Sequence, residues 1–115
     1  MSTAFELGCE RFKVADYEEA ILHFSRSLES YPSSSEGYNW RGQAWGKFGD
    51  LHQAIADLTK AIQLDPNNTH HWMIRGWIYF DWHEAERALD DFAKAIQLDS
   101  NCVSAYCARG YVLVE

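Results

Sequence analysis

A chain of 115 residues, 47% hydrophobic and 23% charged, is long enough for one folded domain and too apolar to read as disordered. Its net charge of −7 repels phosphate backbones, so nucleic acid is not an expected partner. Two prolines and seven glycines are too little punctuation for a many-stranded β fold, and no apolar run approaches the ~20 residues that would span a membrane.

The first residues, Ser2-Thr3-Ala4-Phe5-Glu6, lack the basic and apolar tract of a secretion signal. Cys9, Cys102 and Cys107 are an odd set with no C-x-x-C spacing, a poor disulfide framework and a poor zinc site. Reduced thiols and a cytoplasmic location are the expectation.

Self-similarity organises the rest. Ala-Ile-Gln-Leu-Asp stands at 61–65 and again at 95–99, and extending that offset of 34 aligns residues 35–68 with 69–102. Eleven of the 34 positions are identical, among them Arg41/Arg75, Gly42/Gly76, Ala54/Ala88, Asp57/Asp91 and Lys60/Lys94. One step back, Gly8, Ala20 and Pro32 fall on Gly42, Ala54 and Pro66; one step forward, Tyr106, Arg109 and Gly110 fall on Trp72, Arg75 and Gly76. The repeats are therefore 1–34, 35–68 and 69–102, with a partial fourth at 103–115.

The second repeat reads Tyr38-x-x-Arg41-Gly42-x-x-Trp45, then Ala54-x-x-x-Leu58 and Pro66; the third reads Trp72-x-x-Arg75-Gly76-x-x-Tyr79, then Ala88-x-x-x-Phe92. This period and spacing resemble the tetratricopeptide repeat family. Departures are Arg11 in place of an aromatic residue, Ser100 in place of proline, and arginine before the glycine where leucine is usual. The resemblance implies an all-α fold: a right-handed α-solenoid of antiparallel helix pairs, three hairpins plus one extra C-terminal helix, in a single domain over 1–115.

On that reading the helices lie, in chain order, near 2–14, 17–30, 35–48, 51–64, 69–82, 85–98 and 103–114. Pro32 and Pro66 end the helices before them, and Ser33, Ser34, Asn67 and Asn68 are candidate caps for the helices after them. Glycine inside a helix costs about 1 kcal/mol relative to alanine. Gly8, Gly42, Gly76 and Gly110 at one register imply close helix packing, with Ala20, Ala54 and Ala88 as expected partners and Phe24, Leu58 and Phe92 filling the space between. Arginine before the glycine occurs with aspartate in the following helix, and Leu7 occurs with His23; the expected ion pairs are Arg41–Asp57 and Arg75–Asp91.

The resemblance also implies function. In this family the first helix of each pair lines a groove that holds a peptide. Carried over by register, the groove residues are Phe5, Cys9, Phe12, Asn39, Trp40, Gln43, Lys47, Met73, Ile74, Trp77 and Phe80, with Lys13, His70, Asp81, Cys107 and Tyr111 at the margins. Chaperone-binding members grip a terminal carboxylate with lysine, arginine and asparagine at set positions. Those positions here are Phe5, Cys9, Trp40, His70 and Ile74, so an acidic C-terminal chaperone motif is not the expected ligand. A protein-interaction scaffold with an apolar, aromatic groove is the expectation.

No pattern points to catalysis. The five histidines include no H-E-x-x-H and no pair at i,i+4. Neither G-x-S-x-G nor a phosphate-binding glycine loop occurs, so no enzyme, cofactor or metal site is expected. The last helix carries an apolar run, Tyr111, Val112, Leu113 and Val114, where a second helix would normally pack. Either a longer array or a homodimer is the expected cover, which makes self-association the alternative function.

Overall fold

The computed structural model describes residues 2–114. Those residues form α1 (Ala4–Lys13), α2 (Tyr17–Ser30), α3 (Ser35–Phe48), α4 (Leu51–Leu64), α5 (Thr69–Asp81), α6 (Ala85–Leu98) and α7 (Val103–Val114). Among the described residues there is no strand. Successive pairs α1/α2, α3/α4 and α5/α6 are hairpins, and each second helix packs on the first helix of the next pair. The result is a solenoid of helix pairs measuring 44 × 25 × 21 Å, with α7 as an unpaired seventh helix at one end.

Local chemistry sets the boundaries. Thr3 accepts a hydrogen bond from the Glu6 amide at 3.1 Å while the Thr3 amide donates to the Glu6 carboxylate at 3.2 Å, a capping box that starts α1. Asp16, Ser34 and Asp50 each accept from the amide three residues on, and Asn68 accepts from the His70 and His71 amides. Of the four expected caps, Ser34 and Asn68 therefore act; Ser33 and Asn67 sit one residue too early. Helix α6 follows Glu84, whose side chain makes no capping hydrogen bond.

The turns within hairpins repeat at the same spacing. Ala15, Gly49 and His83 all have positive φ, at 62°, 111° and 60°. The amides of Asp16, Asp50 and Glu84 then reach back to the carbonyls of Arg11, Trp45 and Tyr79 at 2.9–3.0 Å. This left-handed C-terminal closure favours glycine, which only the second hairpin supplies.

Packing explains three of the four register glycines and corrects the expected partners. A methyl group on Gly8 would lie 2.5 Å from the Phe24 ring, and one on Gly76 would lie 2.6 Å from the Phe92 ring. Leu58 crowds Gly42 in the same way. The glycine thus makes room for the large residue in the second helix, while Ala20, Ala54 and Ala88, all fully buried, keep the neighbouring turn close. A methyl group on Gly110 would meet nothing within 4 Å.

Candidate functional site

Helices α1, α3, α5 and α7 stand side by side along one face of the solenoid. Arginine staples hold that arrangement. Arg41 donates from Nε and Nη2 to the two carboxylate oxygens of Asp57 at 2.7 and 2.8 Å, and Arg75 does the same to Asp91 at 2.9 and 2.8 Å. Both expected pairs are present and bidentate. The third contact had no expectation: Arg41 Nη1 donates to Ser25 and Arg75 Nη1 to Thr59, each at 3.2 Å. Each arginine therefore ties its own hairpin to the hairpin before it. Ser25 and Thr59 are themselves 34 residues apart, and that coincidence was the available signal.

These pairs are partly withdrawn from water. Hydrogen bonding to Asp57 holds the Arg41 guanidinium above its ordinary range. At the second staple burial opposes both charges: it lifts the Asp91 carboxyl above its usual value, and the Arg75 hydrogen bonds pull it back only in part. The bidentate geometry identifies both as ion pairs that position helices, not as chemistry-bearing groups.

Two depressions open on the first-helix face, and they share Ile74 and Trp77. One lies between α3 and α5 and is lined by Gln43, Gly46, Lys47, Ile74, Trp77, Ile78 and Asp81. The other lies between α5 and the start of α7, where Thr69, His70, Met73, Cys102 and Ser104 join the same two side chains. The floor is apolar, and Lys47 and Asp81 supply opposite charges at the exposed rim.

The residues expected from sequence divide around these depressions. Gln43, Lys47, Ile74 and Trp77 meet at the first, and Met73 reaches the floor of the second while 7% exposed. Phe12 stacks edge-on against Trp40 at 5.5 Å, and both pack with Phe5 and Cys9 around Phe24. Phe5 also lines a separate hollow where α1, α2 and α3 meet, with Ser27, Tyr31 and Glu36. Burial pushes the Cys9 thiol above its ordinary value, which suits a packing role. Phe80 stacks on Trp77 and Tyr111 at 5.8 and 5.6 Å.

Two expected contacts are corrected. Asn39 is 1% exposed and accepts a hydrogen bond from Gln43, so it orients that side chain from within the core and offers no surface. Val112 is 5% exposed because it faces α6 with Ala105 and Ala108. It leaves the set of exposed end residues, while Tyr111, Leu113 and Val114 remain exposed at 50%, 65% and 83%.

His71 was not singled out by sequence. It is fully buried, its Nε2 lies 3.7 Å from Glu36, and neither ring nitrogen has a hydrogen-bond partner. Burial pulls its pKa below the ordinary value, so the ring is neutral at pH 7. Among the described residues no three His, Cys, Asp or Glu side chains cluster as metal ligands, and no helix is long and apolar enough to cross a membrane.

Solved structures place the architecture. The first tetratricopeptide domain of Spaghetti (RPAP3), bound to the HSP90 peptide SRMEEVD, superposes with a TM-score of 0.90 at 22% identity, covering 96% of this chain and 88% of that one. The TPR2B domain of yeast Sti1, in complex with pHsp70, gives 0.90 at 23% identity over 96% and 94%. The second domain of human RPAP3, with the HSP70 peptide SGPTIEEVD, gives 0.89 at 22% identity over 96% and 92%. At these identities the likeness concerns the fold. The comparison with curated proteins gave no match. The tetratricopeptide repeat pattern itself matches residues 35–68 and 71–102, more than half of the chain. Those are the two hairpins stapled by Arg41 and Arg75, and on that match the chain belongs to the tetratricopeptide repeat family.

Proposed function

We propose that this chain is a protein-interaction scaffold that seats an apolar or amphipathic peptide segment across α3, α5 and α7. The observation that carries this reading is the pair of adjoining depressions that share Ile74 and Trp77, apolar at the floor and flanked by Lys47 and Asp81. An apolar floor supplies the burial, and rim charges of opposite sign supply orientation.

Two of the domains that share this fold, the first and second of RPAP3, are bound to an HSP90 and an HSP70 peptide respectively. The five positions that grip a terminal carboxylate in such domains hold Phe5, Cys9, Trp40, His70 and Ile74 here. Desolvating a carboxylate against those side chains has no compensating partner, which supports a different ligand class.

A display selection of random peptides on the folded chain, followed by amide-shift mapping, tests the site. Bound peptides should perturb Gln43, Lys47, Ile74 and Trp77, and Lys47→Glu at the exposed rim should weaken binding severalfold with helicity unchanged. Mapping to another surface rejects the groove. Alanine at Trp40 or Trp77 is a poor probe, because both rings are half-buried against Phe12 and Phe92 respectively.

Self-association is the second reading. Tyr111, Leu113 and Val114 on α7 favour it, being large, apolar and exposed. A single monomer mass by light scattering across a concentration series removes it.

A further inference from the structure

Gly37 in α3, His71 in α5 and Ala105 in α7 stand 34 residues apart, and all three are buried. At this register α3 has no side chain, α7 has a methyl group, and α5 has an imidazole that is 0% exposed. Among the described residues His71 is the largest polar side chain so fully enclosed. Neither of its ring nitrogens has a hydrogen-bond partner. A polar group in that position has given up its hydration with nothing in return. Packing alone gives no reason for an imidazole where glycine and alanine serve the same register.

The ring sits at the junction of the second and third hairpins, and its surroundings reject a positive charge. His71 lies in the first turn of α5, at the positive end of the helix dipole. The charged and titratable groups that act on it are Glu36 from α3, Asp65 at the end of α4 and His70 beside it on α5. Glu36 Oε1 stands 3.7 Å from Nε2, beyond hydrogen-bonding range, and its side chain is 55% exposed, so water screens the attraction. The Asp65 carboxylate already accepts from the Asn68 amide group. Nδ1 faces no acceptor. One turn further along α5, Ile74 lines the depression that this helix shares with Gln43 and Lys47 of α3.

We propose that this junction is an acid-sensitive hinge: protonation of His71 in mild acid expels the ring, loosens the third hairpin on the second and releases a peptide held between α3 and α5. The loosening stands on the junction alone; the release rests on the groove reading above. Burial gives the sign, because it holds the imidazole below its ordinary value in the folded chain. The unfolded chain takes up the proton first, near pH 6.5. The junction is therefore fully stable above about pH 6.5 and loses stability as the pH falls below it. In a stack of hairpins such a loss opens one boundary and leaves the others closed.

The test compares the whole chain with His71→Leu, which keeps the volume and removes the titration, at pH 7.5 and pH 5.5. Without ligand, native-state hydrogen exchange, corrected for the intrinsic rates, reads the opening of each helix. Acidification should raise the opening of α5 and α6 by about threefold to tenfold more in the parent chain than in His71→Leu, with α1 and α2 the same in both. Glu36→Gln removes the one nearby charge on α3 that favours the proton, so it should deepen the acid loss; this exposed substitution also decides the matter if His71→Leu does not fold. The second arm takes a peptide selected on the chain at pH 7.5 and measures its affinity by fluorescence anisotropy. Affinity should fall at least about threefold at pH 5.5 in the parent chain and stay level in His71→Leu. Equal acid response of α5 in the parent and His71→Leu overturns the hinge, as does an acid loss that Glu36→Gln reduces. Acid loosening with unchanged peptide affinity overturns the release. A peptide that maps away from α3 and α5 rejects the groove reading and the release with it, while the exchange arm still decides the hinge.

Discussion

At the scale of single residues, the Arg–Asp staples are where charge and packing meet. The Asp91 and Arg75 side chains are 5% and 15% exposed. Removing one partner strands the other away from water, which costs about 3–5 kcal/mol for a buried pair, whereas replacing both with apolar groups is often close to neutral. Arg75→Met is therefore expected to destabilise the chain more than the double variant Arg75→Met/Asp91→Leu does. Denaturant melts of both variants check this, and a double variant that is the weaker of the two would refute it. Sequence displayed these pairs because arginine and aspartate vary together between repeats. It did not display His71, whose burial depends on how α5 sits against α3, nor Asn39, which has the composition of a groove residue but the environment of a core one. A register names the face of a helix; it does not fix how far the next hairpin leans over it.

At the scale of elements, the helices were legible nearly to the residue, because proline, aspartate and serine punctuate them at a constant spacing. The turns were less so. Positions 15, 49 and 83 share a left-handed backbone that no side chain announces at Ala15 or His83. A non-glycine residue in that conformation costs roughly 1–2 kcal/mol. The third hairpin carries a second imperfection at the same turn, since Glu84 stands where Asp16 and Asp50 cap their helices. Combining His83→Gly with Glu84→Asp should repair both faults. A gain of about 1–2 kcal/mol is expected in a thermal or denaturant melt, from relief of the positive φ and one added cap. A neutral or destabilising result would mean that the turn is held by contacts other than its backbone. Gly49 already has the preferred residue at 111°, so Gly49→Ala is the matched control and should destabilise.

At the scale of the molecule, the solenoid is a one-dimensional stack in which each helix is stabilised by its immediate neighbours. The interior helices are packed on both sides: α5 has Phe92 of α6 over Gly76 and Ile78 turned into the cluster around Leu58. Helix α7 has one side only. Ala105, Ala108 and Val112 face α6, Tyr111 reaches Trp77 and Phe80, and the opposite face lies open over Gly110. Relative to α5 it lacks one buried large apolar side chain, about 1.5–3 kcal/mol, and one bidentate ion pair. Opening free energies should therefore fall toward that end and not toward the other, where Phe24 already covers Gly8 and the Thr3–Glu6 box closes α1. Native-state hydrogen exchange reads this directly. The amides of α7 are expected to exchange about tenfold to a hundredfold faster than those of α4 and α5, with α1 in between. Protection of α7 equal to that of α4 in a monomeric sample would contradict the asymmetry. It would mean that the contacts of one helix face suffice to hold the end of the stack.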